Sequence, residues 1–318
     1  MQSARMPDLS PPPFSEKIHD VDVHVDVPYG LGGVGYDPVQ GAKSHRALKL
    51  DIYRPRAAGN APRPALILAF GGAFHRGSKS AEVFEGEAPS TAMAEYCREF
   101  ARRGFVCFSI EYRLMQEDPD PGLTPVFADD VVFKSARINY VRGILGLPPC
   151  TPQMLKATIE AATDDMSAAT AFVRTRAAAL GVDATRIAIG GFSAGATISL
   201  HAAFAELAPV AAVVSISGRV APPLLDTGLR AGLKPPPVLL FHGETDLPDI
   251  LDSQEPMRAR LRELAIPHEA WVVPGQGHFY VRSAPVVSTT DGVASELETV
   301  MAAFLHKRLD LAQPGPVM

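Results

Sequence analysis

Cysteine is scarce in this chain. Only Cys97, Cys107 and Cys150 occur among 318 residues, an odd number with no CxxC spacing, which excludes a disulfide-built scaffold, a zinc ribbon and a CxxC redox centre. They read as free thiols in a reducing compartment. An excess of charge of one sign is also missing: 30 basic against 35 acidic side chains leave a net charge of -5, so a nucleic-acid backbone is excluded as the expected partner. No stretch approaches the ~18 consecutive apolar residues of a membrane span. Pro11, Pro12 and Pro13 stand where a signal peptide needs its apolar segment. The expectation is a cytoplasmic protein with no membrane span. Gly and Pro together, 26 and 29 residues, stay below the share of a low-complexity chain. What is present is 47% hydrophobic residues, enough for a sizeable core in one domain or two.

Val21, Val23, Val25 and Val27 alternate with Asp22, His24 and Asp26, the period of a half-buried strand. The Gly/Pro-rich stretch from Pro28 to Gly41 breaks that pattern, and Leu48 to Tyr53 resumes it. An antiparallel hairpin with a long connection is expected. The character then changes. Ala65–Phe70, Val106–Glu111, Ile187–Phe192, Val210–Ile216 and Val238–His242 are short apolar runs that suit parallel strands buried on both faces. Amphipathic helix patterns lie between them. The clearest carries Met166, Ala169, Phe172, Val173, Ala177 and Leu180 on one face, with Thr163 or Asp164 as the candidate N-cap and Gly181 as the stop. Weaker ones cover 91–103, 195–207, 255–264 and 295–309. Strand and helix alternate, which predicts an α/β layered fold. Residues 115–160 interrupt the alternation as an insertion, with a helix expected near 128–145. It leaves the carboxyl end of a parallel strand, where such sheets place their ligands.

The strongest chemical signal is Gly191-Phe192-Ser193-Ala194-Gly195 between an apolar strand and a helical segment. A nucleophile on a sharp strand-to-helix turn needs small neighbours because its backbone packs closely on both sides. The plain alternative is a glycine turn with an incidental serine. A serine hydroxyl needs a base to take its proton, and the base needs a carboxylate to orient it. Asp246 follows the run ending at His242, and His278 follows Pro274-Gly275-Gln276-Gly277. Ser193, Asp246 and His278 thus run in the order nucleophile, acid, base expected of this architecture. Glu244 and Asp249 remain alternatives to Asp246 as the acid. The other histidines sit in polar, terminal, strand-end or helical positions. Phe70-Gly71-Gly72-Ala73-Phe74 follows another apolar strand, and the N–H groups of Gly72, Ala73 and Ala194 are the expected oxyanion donors. A plain glycine turn is the alternative there.

Three further groups carry weaker signals. Asp22, His24 and Asp26 have metal-ligand chemistry, but a solvated strand face explains them more simply. Arg76 and Lys79 beside the glycine loop suit a solvated loop, with recognition of a substrate carboxylate as the alternative. Gly30 to Gly35 is not a phosphate loop, since no Lys-Ser/Thr follows it. No metal or other cofactor is expected.

The segments Leu50–Pro55, Phe70–Phe74 with Gly77-Ser78-Lys79, Tyr112-Arg113-Leu114, Gly191–Gly195 and Gly277-His278 together resemble an α/β-hydrolase of the carboxylesterase and hormone-sensitive-lipase-like type, over roughly residues 45 to 310. The resemblance implies an α/β-hydrolase fold and cofactor-free hydrolysis of small or medium carboxylic esters, with triad and oxyanion roles on the residues already named. It leans towards a homodimer. An amidase, peptidase or acyltransferase would use the same triad, and a non-catalytic binding protein would lack a member of it. One departure stands out: Phe70 occupies the first position of the HGG motif, where the family usually has His, so the loop is expected to lack an imidazole anchor there. Residues 1–45 form an N-terminal arm with the first strand, a candidate part of a cap. Residues 46–310 form the hydrolase domain with the insertion 115–160 as a candidate lid, and 311–318 form a tail.

Overall fold

A computed structural model describes residues 14, 16–56, 61–80, 84, 87–122, 135–220, 224–225, 229 and 234–311. Its strands are β1 (Asp20–Asp37), β2 (Gly41–Arg56), β3 (Arg63–Ala69), β4 (Val106–Ile110), β5 (Val182–Phe192), β6 (Ala212–Ile216), β7 (Val238–Gly243), β8 (His268–Val273), β9 (Pro285–Ser288) and β10 (Ala294–Glu296). They form a single sheet in the order β1-β2-β4-β3-β5-β6-β7-β8-β9-β10. From β4 through β8 every neighbouring pair is parallel. The two ends, β1-β2-β4 and β8-β9-β10, are antiparallel. The parallel strands are the apolar runs of the sequence, and Leu66, Ile67, Leu68, Ile189, Val213 and Leu239 are fully buried in them. Burial on both faces removes the polar alternation that a one-sided sheet would show.

Helices α1 (Met93–Arg102), α2 (Ala136–Ile144), α3 (Pro152–Thr175), α4 (Ala177–Leu180), α5 (Ala194–Phe204), α6 (Pro248–Glu263) and α7 (Leu297–Arg308) complete the described elements. The insertion's expected helix is met by α2 over its second half, while the first part of the expected range, 128–134, lies outside the described residues. The apolar stripe from Met166 to Leu180 is buried as expected, and Gly181 stops it in the left-handed region at φ 67°. The N-cap is elsewhere. Helix α3 begins eleven residues before Thr163, at Pro152, capped by the Thr151 hydroxyl accepting from Met154 N at 3.1 Å. Proline is compatible with a helix's first turn because that N–H has no intrahelical partner. Thr163 is buried inside the helix and donates to the Ile159 carbonyl at 2.7 Å.

The opening hairpin is antiparallel, but its connection is short. Strand β1 runs through the Gly/Pro-rich stretch to Asp37, with register shifts between His24 and Val27 and between Pro28 and Gly30. A Cβ on Gly32 would stand 2.6 Å from the Arg113 side chain; the glycine there admits a neighbour rather than ending the strand. That neighbour ties the insertion's root to the body. Arg113 pairs with buried Asp165 of α3 at 2.8 Å, and it also donates to the carbonyls of Gly33, Asp120 and Ala161.

Candidate active site

Ser193 sits between β5 and α5 at φ 53° and ψ -112°, a conformation an L-residue adopts only when its surroundings enforce it. The flanking glycines are explained by distance. A Cβ on Gly191 would lie 2.3 Å from the Ala69 carbonyl oxygen, and one on Gly195 only 2.0 Å from it. The end of β3 therefore packs against both arms of the turn, and the Ser193 N–H is fixed to the Ile216 carbonyl at 2.8 Å.

His278 and Asp246 arrive from the loops after β8 and β7. Asp246 Oδ1 accepts a hydrogen bond from the Nδ1–H of His278 at 2.7 Å, which leaves Nε2 to accept from Ser193 Oγ at 2.9 Å. Asp246 also accepts from Leu247 N at 2.7 Å and from Gly243 N at 3.0 Å. The Ser217 hydroxyl donates to its second oxygen at 2.5 Å. Burial opposes ionisation of Asp246, but the bonds from His278, Ser217 and Leu247 outweigh it and hold the carboxyl below its usual range. The Ser217 proton is committed to Asp246, so the Tyr280 hydroxyl is the donor across its 2.7 Å contact with Ser217. The alternative acids are engaged elsewhere: Glu244 accepts from Gly275 N, and Asp249 pairs with Arg219.

The loop after β3 holds Gly72, Ala73 and Phe74 at φ 119°, 54° and 61°. A Cβ on Gly72 would fall 2.0 Å from the Arg76 carbonyl oxygen. Phe70 stacks on Tyr112 with centroids 4.5 Å apart, and the Tyr112 hydroxyl donates to the Phe70 carbonyl at 2.9 Å. The expected lack of an imidazole holds for position 70 but not for the loop. Buried His75 places Nδ1 2.7 Å from the Ala73 carbonyl and Nε2 3.0 Å from Arg142 Nη1 of α2. Arg142 can only donate, so Nε2 is the acceptor and Nδ1 carries the proton.

Ala73 and Ala194 line the same pocket as Ser193, and Gly72 immediately precedes Ala73. The pocket opens to solvent. The insertion contributes Arg137 and Ile138 of α2 to its wall; the described residues up to 45 contribute none. Arg76 is paired with Glu87 at 2.9 Å and Lys79 with Asp51 at 2.6 Å, so neither is simply solvated. On the first strand Asp22 pairs with Arg56 and Asp26 with Lys79. Sequence reasoning missed Ser217, Tyr280, His75, Arg142 and Arg137; none lies in a local motif.

Two family models match adjoining stretches of the chain: one described as Phospholipase/Carboxylesterase over residues 151–282, and one described as BD-FAE over residues 50–140. No curated protein matches it in sequence. Among solved structures, Thermogutta terrifontis esterase 2 phosphoramylated by tabun aligns with a TM-score of 0.58 at 16% identity, over 93% of this chain and 97% of that one. The same esterase phosphorylated by paraoxon gives 0.58 at 17% identity, over 93% and 96%. Its propionate-bound form gives 0.57 at 17%, over 90% and 96%. The strand order, the elbow at Ser193 and these likenesses show the α/β-hydrolase fold. No helix among the described residues is long and apolar enough to cross a membrane.

Proposed function

We propose that the protein is a serine carboxylesterase acting on small or medium esters. The observation that carries this reading is the continuous chain Ser193 Oγ, His278 Nε2, His278 Nδ1, Asp246 Oδ1, with distances of 2.9 and 2.7 Å, opening on a pocket. His278 takes the proton of Ser193 as the oxygen attacks the ester carbonyl. The N–H groups of Gly72, Ala73 and Ala194 stabilise the oxyanion. His278 then protonates the leaving alcohol, and water repeats the cycle on the acyl-enzyme to release the acid. Asp246 keeps the proton on Nδ1 throughout and stabilises the imidazolium. The Phospholipase/Carboxylesterase model and the propionate-bound esterase support ester chemistry. The esterase phosphorylated by paraoxon supports a covalent intermediate. The insertion acts as part of the substrate pocket, supported by Arg137 and Ile138 on its wall.

Ser193→Ala is expected to lower kcat on a short p-nitrophenyl ester at least about 10³-fold, and a fluorophosphonate probe is expected to label Ser193 in the wild type only. Wild-type-like turnover by the variant would sink the assignment. Matched ester and amide substrates separate this activity from an amidase using the same residues. The free thiols Cys97, Cys107 and Cys150 support a reducing, cytoplasmic setting, which cell fractionation tests. Light scattering tests the homodimer.

A further inference from the structure

The pocket wall is apolar at Phe74, Ile138, Leu247 and Ile250, and charged at Arg137, Arg219 and Asp249. Arg219 and Asp249 neutralise one another at 2.8 Å. Arg137 is only partly neutralised. Its Nη2 donates to Glu87 Oε1 at 2.6 Å, and the same oxygen accepts from Arg76 at 2.9 Å. Among the described residues, one carboxylate thus serves two guanidiniums, leaving one positive charge in excess between them. Burial opposes ionisation of Glu87, but the bonds from Arg137 and Arg76 outweigh it and keep it charged. The Arg137 guanidinium is also fixed in place, over the rings of Tyr140 at 5.0 Å and Phe279 at 5.5 Å. Among the described residues the Arg137 side chain hydrogen-bonds only Glu87, through Nη2, so a held, partly desolvated guanidinium lines the pocket.

Resting on the reading of Ser193 as an esterase nucleophile, the geometry points to Arg137 as a specificity-determining residue that selects esters bearing a carboxylate, such as short dicarboxylic acid monoesters. The carboxylate pairs with the Arg137 guanidinium while the ester carbonyl meets Ser193. Each turnover consumes one water and releases the dicarboxylate and the alcohol. A charge-assisted contact of this kind discriminates by about 10- to 100-fold against a neutral isostere.

The test compares monomethyl glutarate with methyl hexanoate, which are of similar length, in a pH-stat, for wild type, Arg137→Gln and Arg137→Lys. Wild type is expected to prefer the glutarate ester at least about tenfold in kcat/KM. Arg137→Gln is expected to remove most of that preference and Arg137→Lys to keep part of it. The readout is a ratio, so any loss of folded protein divides out. Raising ionic strength is expected to lower the wild-type ratio, a measurement that needs no variant. Hydrolysis of both esters without preference, or a ratio unchanged in Arg137→Gln, overturns the role of Arg137 and leaves the esterase reading standing. If wild type cleaves neither ester and Ser193 fails to label, both fall.

Discussion

His75→Leu removes an imidazole that holds two buried groups at once, at nearly constant volume. The Ala73 carbonyl loses its 2.7 Å donor and Arg142 Nη1 its 3.0 Å acceptor. A buried polar group left without a partner costs about 1–3 kcal/mol, so an unfolding free energy lower by about 2–5 kcal/mol is expected. The loop feels this most, because Ala73 and Phe74 both occupy the left-handed region, at φ 54° and 61°, where each residue stores roughly 1–3 kcal/mol. Released from His75, the loop relaxes and the Ala73 N–H leaves its position beside Ser193. Loss of one oxyanion donor costs at most about 10²–10³ in kcat, and a partial shift predicts a 10- to 100-fold fall in kcat with a smaller change in KM. Steady-state kinetics on a neutral short ester, at a temperature where circular dichroism reports a folded variant, reads this directly. The pH dependence adds an independent check. Desolvation first, and then Arg142, push the His75 pKa below 6.5, against the bond to the Ala73 carbonyl. A depressed histidine binds its proton more readily in the unfolded chain, so its contribution is complete above pH 6.5 and is lost as the pH falls below that, with a slope of up to about 1.4 kcal/mol per pH unit. Among the described residues the ring's hydrogen-bond partners are Arg142 and the Ala73 carbonyl; neither offers a counter-charge to an imidazolium. His201, buried and pushed down to about 3, adds acid sensitivity to wild type and variant alike, so their difference isolates His75. A variant with kcat within twofold of wild type, and the same acid limb, would refute the reasoning.

Two further outcomes follow from the same geometry. Ser217→Ala removes the 2.5 Å bond to Asp246 and leaves Tyr280 without its acceptor; kcat is expected to fall about tenfold, the equivalent of ~1.4 kcal/mol, with Tyr280→Phe in the same direction and smaller, and unchanged kcat in both would exclude Ser217 as a positioning residue. Gly195→Ala places a methyl group 2.0 Å from the Ala69 carbonyl oxygen, so β3 and the elbow must separate; a loss of more than about 2 kcal/mol in chemical denaturation is expected, and a wild-type midpoint would mean that β3 does not hold the turn.

How much of this was legible in the sequence depended on how locally each feature is specified. The parallel strands were readable because burial on both faces leaves unbroken apolar runs such as Ala65–Ala69. The elbow was readable because Gly191 and Gly195 answer a single steric demand from Ala69. Strand β1 was misread where Gly32 and Gly33 looked like a break, since the Arg113 side chain that needs the room lies 80 residues away, as its bond to the Gly33 carbonyl shows. The short antiparallel strands β9 and β10 carry no apolar run and gave no signal. Ser217 meets Asp246 across 29 residues and Tyr280 across 63, separations at which no spacing rule operates. The N-cap of α3 was placed too late because residues up to 160 were assigned to the insertion, whereas the helix opens at Pro152.

Phe70 and His75 show one anchor exchanged for another. With Phe70 stacked on Tyr112, the start of the glycine loop is held by an aromatic face and a tyrosine hydroxyl. The imidazole that fixes the loop enters from five residues further on, and its outer nitrogen belongs to Arg142 of α2. The same helix carries Arg137 to the pocket wall. Displacing α2 is therefore expected to change rate and selectivity together, the first through Arg142, His75 and Ala73, the second through Arg137. The two routes are separable, because His75→Leu interrupts only the first: it lowers kcat for charged and neutral esters by the same factor, whereas Arg137→Gln changes their ratio. If His75→Leu altered that ratio as much as Arg137→Gln does, the helix would be acting as one lid and the two arginines would have no distinct roles.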